Sequence, residues 1–155
     1  NGSVNAITLG ADSVYIGGDF TTANGKTANR ILKLSFSGAV DPLFSPATGA
    51  NGFDKSVAAL AFANGSLYVG GEFNRYRGGW ANGLAKLGVT GVQDAGFTAK
   101  ESTNGRVYSV AVSRSDPAVY FGGIFNAFKK WDAHRIGKVD SRTGVLDLEF
   151  NPQPG

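Results

Sequence analysis

The sequence predicts an all-β chain built from three tandem units, each of four short strands. Three observations carry this. A glycine pair recurs as Gly17-Gly18, Gly70-Gly71 and Gly122-Gly123, at intervals of 53 and 52 residues. Each pair is followed two positions on by a phenylalanine: Phe20, Phe73 and Phe125. The composition has 23 glycines, 11 phenylalanines and 5 tyrosines, with no sustained helical periodicity, and many short strands joined by tight turns require such a composition.

The units span residues 1–52, 53–105 and 106–155, read together as one domain. Further positions keep step: Ile31, Leu84 and Ile136; Lys33, Lys86 and Lys138; Gly38, Gly91 and Gly144; Asp41, Asp94 and Asp147; Phe44, Phe97 and Phe150. Length differences fall in Phe53-Asp54-Lys55, in residues 113–118 and in residues 140–143, where turns belong. An insertion inside a paired strand would flip its faces, so this placement supports the strand assignment.

In the first unit the expected strands are Val4–Leu9, Ser13–Phe20, Arg30–Ser35 and Ala39–Phe44. The first two form a hairpin, clearest in the second unit, where Asn64-Gly65 suits a two-residue type I′ turn. The glycine pair inside the second strand allows a backbone or a large ring to approach closely. A long loop of about nine residues leads to the third strand, whose Ile31-Leu32-Lys33-Leu34 alternates in character. Asp41, Asp94 and Asp147 follow a glycine turn and are expected to accept backbone N–H bonds there.

Four strands in a unit of this length fit a β-propeller blade, and equally a lobe of a β-trefoil. The resemblance carried by residues 14–44 favours the blade, with the β-trefoil as the alternative. Gly-Gly-x-Phe, Asn-Arg-Ile-x-x-Leu and Gly-x-x-Asp-x-x-Phe follow one another there, and the other two units repeat the order with Asn82-Gly83 and His134-Arg135 in place of Asn29-Arg30. This pattern resembles the delta-60 repeat of bacterial β-propeller proteins, and nothing resembles the repeated Gln-x-Trp of trefoil lectins. The resemblance implies propeller-type blades. Three blades are too few to close a ring, which needs at least four. The ring is therefore expected to be completed by homo-oligomerisation, as a dimer or a trimer, with a longer parent array as the other resolution.

The chemistry-bearing residues are few. There is no cysteine, so thiol chemistry and disulfides are excluded, and the single histidine is His134. The three repeated aspartates fall one to each unit, so no metal site or other cofactor is expected. Asp19 and Glu72 lack a third acid at Ile124. No phosphate loop or nucleophile elbow occurs. A net charge of +3 is too mild for a nucleic-acid partner, and no apolar run spans a membrane. No enzyme is expected.

The long loop between the second and third strands is where the units diverge. In the second unit it carries Arg75, Tyr76, Arg77 and Trp80; in the third, Lys129, Lys130, Trp131 and His134. Both tryptophans of the chain lie here. Flat aromatic faces stack on sugar rings, and cations pair with carboxylate, sulfate or phosphate. These eight residues are the candidate ligand-binding set. The expectation is a non-catalytic binding or adhesion module, extracellular or at the cell surface, at the tip of a bacterial surface fibre and recognising a glycan or acidic surface polymer. The alternative is a structural or protein-interaction scaffold, in which Tyr76 and Phe128, at equivalent positions, are packing filler.

Overall fold

A computed structural model describes residues 1–44, 51–97, 103–128, 131–150 and 152. All regular structure among them is β. Three antiparallel three-stranded sheets form the frame: β1 (Val4–Leu9), β2 (Ser13–Gly18) and β5 (Ile31–Ser35); β6 (Val57–Ala63), β7 (Ser66–Gly71) and β10 (Leu84–Gly88); β11 (Arg106–Val112), β12 (Ala118–Ile124) and β15 (Ile136–Asp140). In each the second strand is central. Three two-stranded ribbons stand apart: β3 (Thr22–Ala23) with β4 (Lys26–Thr27), β8 (Arg75–Tyr76) with β9 (Gly79–Trp80), and β13 (Ala127–Phe128) with β14 (Trp131–Asp132). They are the long loops, folded back as hairpins.

The Asn64-Gly65 turn has φ of 51° and 71°, the left-handed pair a type I′ turn requires. The first strand of every sheet carries a one-residue register shift at the same place, between Val4 and Ala6, Val57 and Ala59, and Val107 and Ser109. It lies opposite the glycine pair and re-aims the strand's first apolar residue.

The expected fourth strand does not form. Each fourth segment makes a single bridge to its sheet: Val40 to Leu34, Gln93 to Leu87, and Leu146 to Val139. The reason is the repeated aspartate. Asp41 Oδ1 accepts the N–H groups of Leu43 (2.9 Å) and Phe44 (3.1 Å), and Asp94 and Asp147 do the same for Gly96 and Phe97, and for Glu149 and Phe150. The aspartates take the turn role expected of them, but the turn sits inside the segment, and donors used there are lost to a strand ladder. Each carboxylate also meets a lysine of the third strand: Lys33–Asp41 at 2.8 Å, Lys86–Asp94 at 3.1 Å and Lys138–Asp147 at 2.9 Å. The phenylalanine closing each turn meets the tyrosine before the glycine pair edge to face: Tyr15–Phe44 at 5.3 Å, Tyr68–Phe97 at 5.5 Å and Tyr120–Phe150 at 5.3 Å.

The sheets pack through their first strands, with β6 between β1 and β11. At the first seam Val57 and Leu60 lie over Gly17; at the second Val107 and Val110 lie over Gly70. Val57 and Val107 are fully buried, and each such side chain contributes about 1.5–3 kcal/mol. Farther along, the Tyr15 ring stacks on Phe62 at 5.3 Å, and the Tyr68 hydroxyl donates to the Ser141 carbonyl at 2.9 Å. The seams also have a polar end. Asp19 Oδ2 accepts from Ser3 Oγ at 2.6 Å and from Asn5 Nδ2 at 3.3 Å, and Asn5 Nδ2 also donates to the Val57 carbonyl at 3.2 Å. Glu72 meets Arg106 of the third sheet at 3.7 Å.

Two outcomes follow from these seams and turns. A Cβ at Gly70 would stand 2.7 Å from Val107 Cγ1 and 2.8 Å from Val110 Cγ2. Gly70→Ala is therefore expected to destabilise by about 1–3 kcal/mol, visible as a melting temperature several degrees lower; an unchanged melting point would contradict the close seam. The second concerns pH. Hydrogen bonds from Ser3, Ser56 and Asn5 hold Asp19 at about 2, below the ordinary 3.8. Burial works to raise Asp41 and Asp94, but it is outweighed by the lysine partners and the turn N–H groups, so both are lowered; Asp147 is lowered first by its bond to Lys138. Depressed carboxylates stabilise the fold above their unfolded pKa, because the unfolded chain takes up protons first as pH falls. Stability measured by denaturant titration should be flat from neutrality to about pH 4 and fall steadily toward about pH 2.

Candidate functional site

Each ribbon is rooted by one side chain that lies two or three residues ahead of the first strand of its own sheet. Asn1 Oδ1 accepts the N–H groups of Thr21 and Thr22, both at 3.0 Å. Asp54 Oδ1 accepts those of Asn74 and Arg75 at 2.9 Å, and Asn104 Oδ1 those of Asn126 and Ala127 at 3.1 Å. Equivalent residues meet at both seams, so the three roots, and the three ribbons with them, fall on one rim. These roots escaped the sequence reading. The signal was an Asn or Asp at three equivalent places, Asn1, Asp54 and Asn104, hidden because Asp54 reads as part of a turn insertion.

The ribbon β8–β9 places Arg75 opposite Trp80. The Arg75 guanidinium lies over the indole, 4.0 Å from its centroid, and Nη1 donates to the Gly78 carbonyl at 2.9 Å. Trp80 is 46% exposed and Trp131 45%. Cation and ring together form a flat, positively charged surface element. In β13–β14 the register is the same but the tryptophan sits one position earlier: Trp131 stands opposite Phe128, where β8–β9 has Gly79 opposite Tyr76. Trp131 borders a groove of about 290 Å³ with Ile136, Leu146, Leu148 and Phe150.

The other candidates are arranged differently. Tyr76 is buried, its ring 4.6 Å from Phe53 and its hydroxyl donating to the Gly91 carbonyl at 2.8 Å; burial pushes the phenol up to about 12. Phe128, at the same position of the third ribbon, is buried against Phe121 at 5.1 Å. Both rings are ribbon-to-sheet packing. Arg77 is half-buried and donates to the Phe44 carbonyl at 2.5 Å, stitching its ribbon to the preceding sheet's turn. His134 is half-buried, three positions beyond Trp131. Lys129 and Lys130 lie outside the residues whose side chains are described. The structure thus brings Arg75 and Trp80 together on the surface, leaves Trp131 on the neighbouring ribbon, and takes Tyr76 into the core.

Among the described residues no three His, Asp or Glu side chains gather as a metal site. Among these residues no helix is long and apolar enough to cross a membrane.

Comparison with known proteins bears on the fold. A family model described as a domain of unknown function (DUF5122), beta-propeller, matches residues 12–44 and 63–97. No curated protein matches the sequence. The crystal structure of the computationally designed Ika4 protein is similar with a TM-score of 0.60 at 16% identity, over 95% of this chain and 71% of that one. That of the designed Ika8 protein gives 0.48 at 14% identity, over 92% of this chain and 47% of that one. The sheets and the family match agree: this is an all-β chain of β-propeller-type repeats.

Proposed function

We propose that the chain is a non-catalytic binding module of the bacterial cell surface, a segment of delta-60 type whose three sheets serve as blades of a ring. Its rim recognises an anionic glycan or an acidic surface polymer. The observation that carries this reading is the exposed Arg75–Trp80 pair at 4.0 Å, with Trp131 half-exposed on the next ribbon of the same rim. The open face of the indole offers a sugar ring a flat apolar platform, while the guanidinium held over its other side presents donors to a carboxylate or sulfate. Such a module suits the tip of a surface fibre, where a rigid scaffold carries variable loops.

A purely structural scaffold is the second reading. It is favoured by Tyr76 and Phe128, both buried, and by Arg77, whose guanidinium is engaged with the Phe44 carbonyl.

The two readings part on tryptophan fluorescence. Titration with heparin or alginate should shift the emission of the binding module saturably, and neutral dextran should not. Trp80→Ala and Arg75→Ala are each expected to weaken binding by roughly tenfold, about 1.4 kcal/mol. Emission unmoved by every anionic polymer would leave the scaffold reading standing.

A further inference from the structure

We infer that the two end sheets are complementary and that a second copy of this chain packs head to tail on the first, closing a six-sheet ring. This rests on the ring reading above and deepens it by naming the partner and the contact.

The contact is already made twice inside the chain. Val57 and Leu60 occupy the space over Gly17, and Val107 and Val110 the space over Gly70. Register places Val4 and Ile7 at the same positions of the first sheet. There they are 53% and 63% exposed, whereas Val57 and Val107 are at 0%. Leu9, matching Phe62 in register, is 65% exposed. At the other end Gly122 stands where Gly17 and Gly70 stand. Of the described residues, only the Arg135 carbonyl oxygen would come within 4 Å of a Cβ there, at 3.5 Å. One end holds branched side chains with no floor beneath them, and the other a bare floor with no side chain upon it.

The outer turns repeat the relation. A Cβ at Gly91 would lie 3.2 Å from Phe44 of the preceding sheet, and one at Gly144 would meet the Phe97 backbone. Gly38, the third of this set, meets no described residue within 4 Å, and Phe150 is the phenylalanine left to face it. A polar contact matches as well. Arg30 Nη1 reaches across the first seam to the Phe53 carbonyl at 3.0 Å. Its counterpart Arg135 has the same left-handed backbone, φ 66° against 64°, and is exposed at the free end. Beside it a groove of about 370 Å³ is bordered by Asn104, Ile124, Phe125 and Asn126. The corresponding space at the second seam is lined by residues 103–106 of the following sheet, whose counterparts in a second copy include residues 1–3.

Unlike faces that meet generate a ring if the rotation closes. Rings of this architecture have about four to eight sheets. The three sheets among the described residues and three from a second copy make six.

Light scattering tests the stoichiometry and engineered cysteines the geometry. The wild type should have twice the 16.1 kDa chain mass, and Ile7→Asp, a change at an exposed position, should halve it with an unaltered circular dichroism spectrum. The native chain has no cysteine, so Val4→Cys combined with Gly122→Cys reports one contact alone. The internal counterparts of that pair have Cβ separations of 3.2 Å (Gly17 to Val57) and 3.4 Å (Gly70 to Val107), close to the roughly 3.5–4.5 Å of a disulfide. Oxidation should yield a covalent dimer from the double variant and from neither single variant. A wild-type monomer at the highest soluble concentration would overturn the inference, as would a trimer or a dimer that Val4→Cys/Gly122→Cys leaves unlinked. A link formed within one chain would also overturn it, since the chain would then close on itself. Trp80→Ala should leave the mass unchanged, so polymer binding and ring closure fail separately.

Discussion

The structure depends on a close approach between a β-branched side chain and a glycine. Where Val57 and Leu60 meet Gly17, and Val107 and Val110 meet Gly70, the floor of the contact is bare backbone. Any side chain there would force the sheets apart, and the interior has no slack to absorb it. The register shift in each first strand serves the same contact, turning the valine toward its neighbour instead of along its own sheet. With the seam closed, other contacts come within reach. Tyr15 meets Phe62, Tyr68 reaches Ser141, and Arg30 reaches the Phe53 carbonyl.

At the outer edge a different device works. Lysine, aspartate, tyrosine and phenylalanine recur as a set, with the carboxylate shared between the lysine and two backbone N–H groups. A partly exposed ion pair contributes little by itself, about 0–1 kcal/mol. Its consequence is geometric. The aspartate fixes the turn, the turn delivers the phenylalanine to the tyrosine, and that ring covers the end of the sheet. The fourth segment is thereby a cap over the sheet's edge. This matters because an open edge strand is a template for unwanted pairing.

The sheets were legible in the sequence to within a residue or two. Their signals are local: a turn dipeptide at Asn64-Gly65, a glycine pair, alternation in Ile31-Leu32-Lys33-Leu34. The fourth strand was misjudged because Ala39–Phe44 has strand-like residues, while the competing turn is made by one side chain, Asp41, whose two bonds decide the outcome. The ribbons were invisible for a related reason. Two-residue strands carry no period, and what holds them is a side chain some twenty residues away, as with Asn1 and Thr21. In the candidate site, sequence placed both tryptophans in the long loops and left their exposure open; in the structure both stand about half exposed. It could not separate Arg75, stacked on Trp80, from Arg77, turned toward Phe44, since the two stand one residue either side of the buried Tyr76.

The roots explain how one frame carries such different rims. Asn1, Asp54 and Asn104 bind main-chain N–H groups, which every residue except proline supplies, so the anchoring is indifferent to the side chains of the ribbon it holds. The position filled by Tyr76 and Phe128 faces inward and takes an apolar side chain, Ala23 in the first ribbon. The exposed strand positions of each ribbon are free to change. Arg75 and Trp80 in one ribbon, and Trp131 in the next, occupy such positions, and altering them disturbs neither seam nor root. Stability resides in the glycine seams and aspartate turns, which recur along the chain. The surface chemistry resides in residues that do not recur, and a scaffold divided this way can acquire a binding rim without loss of fold.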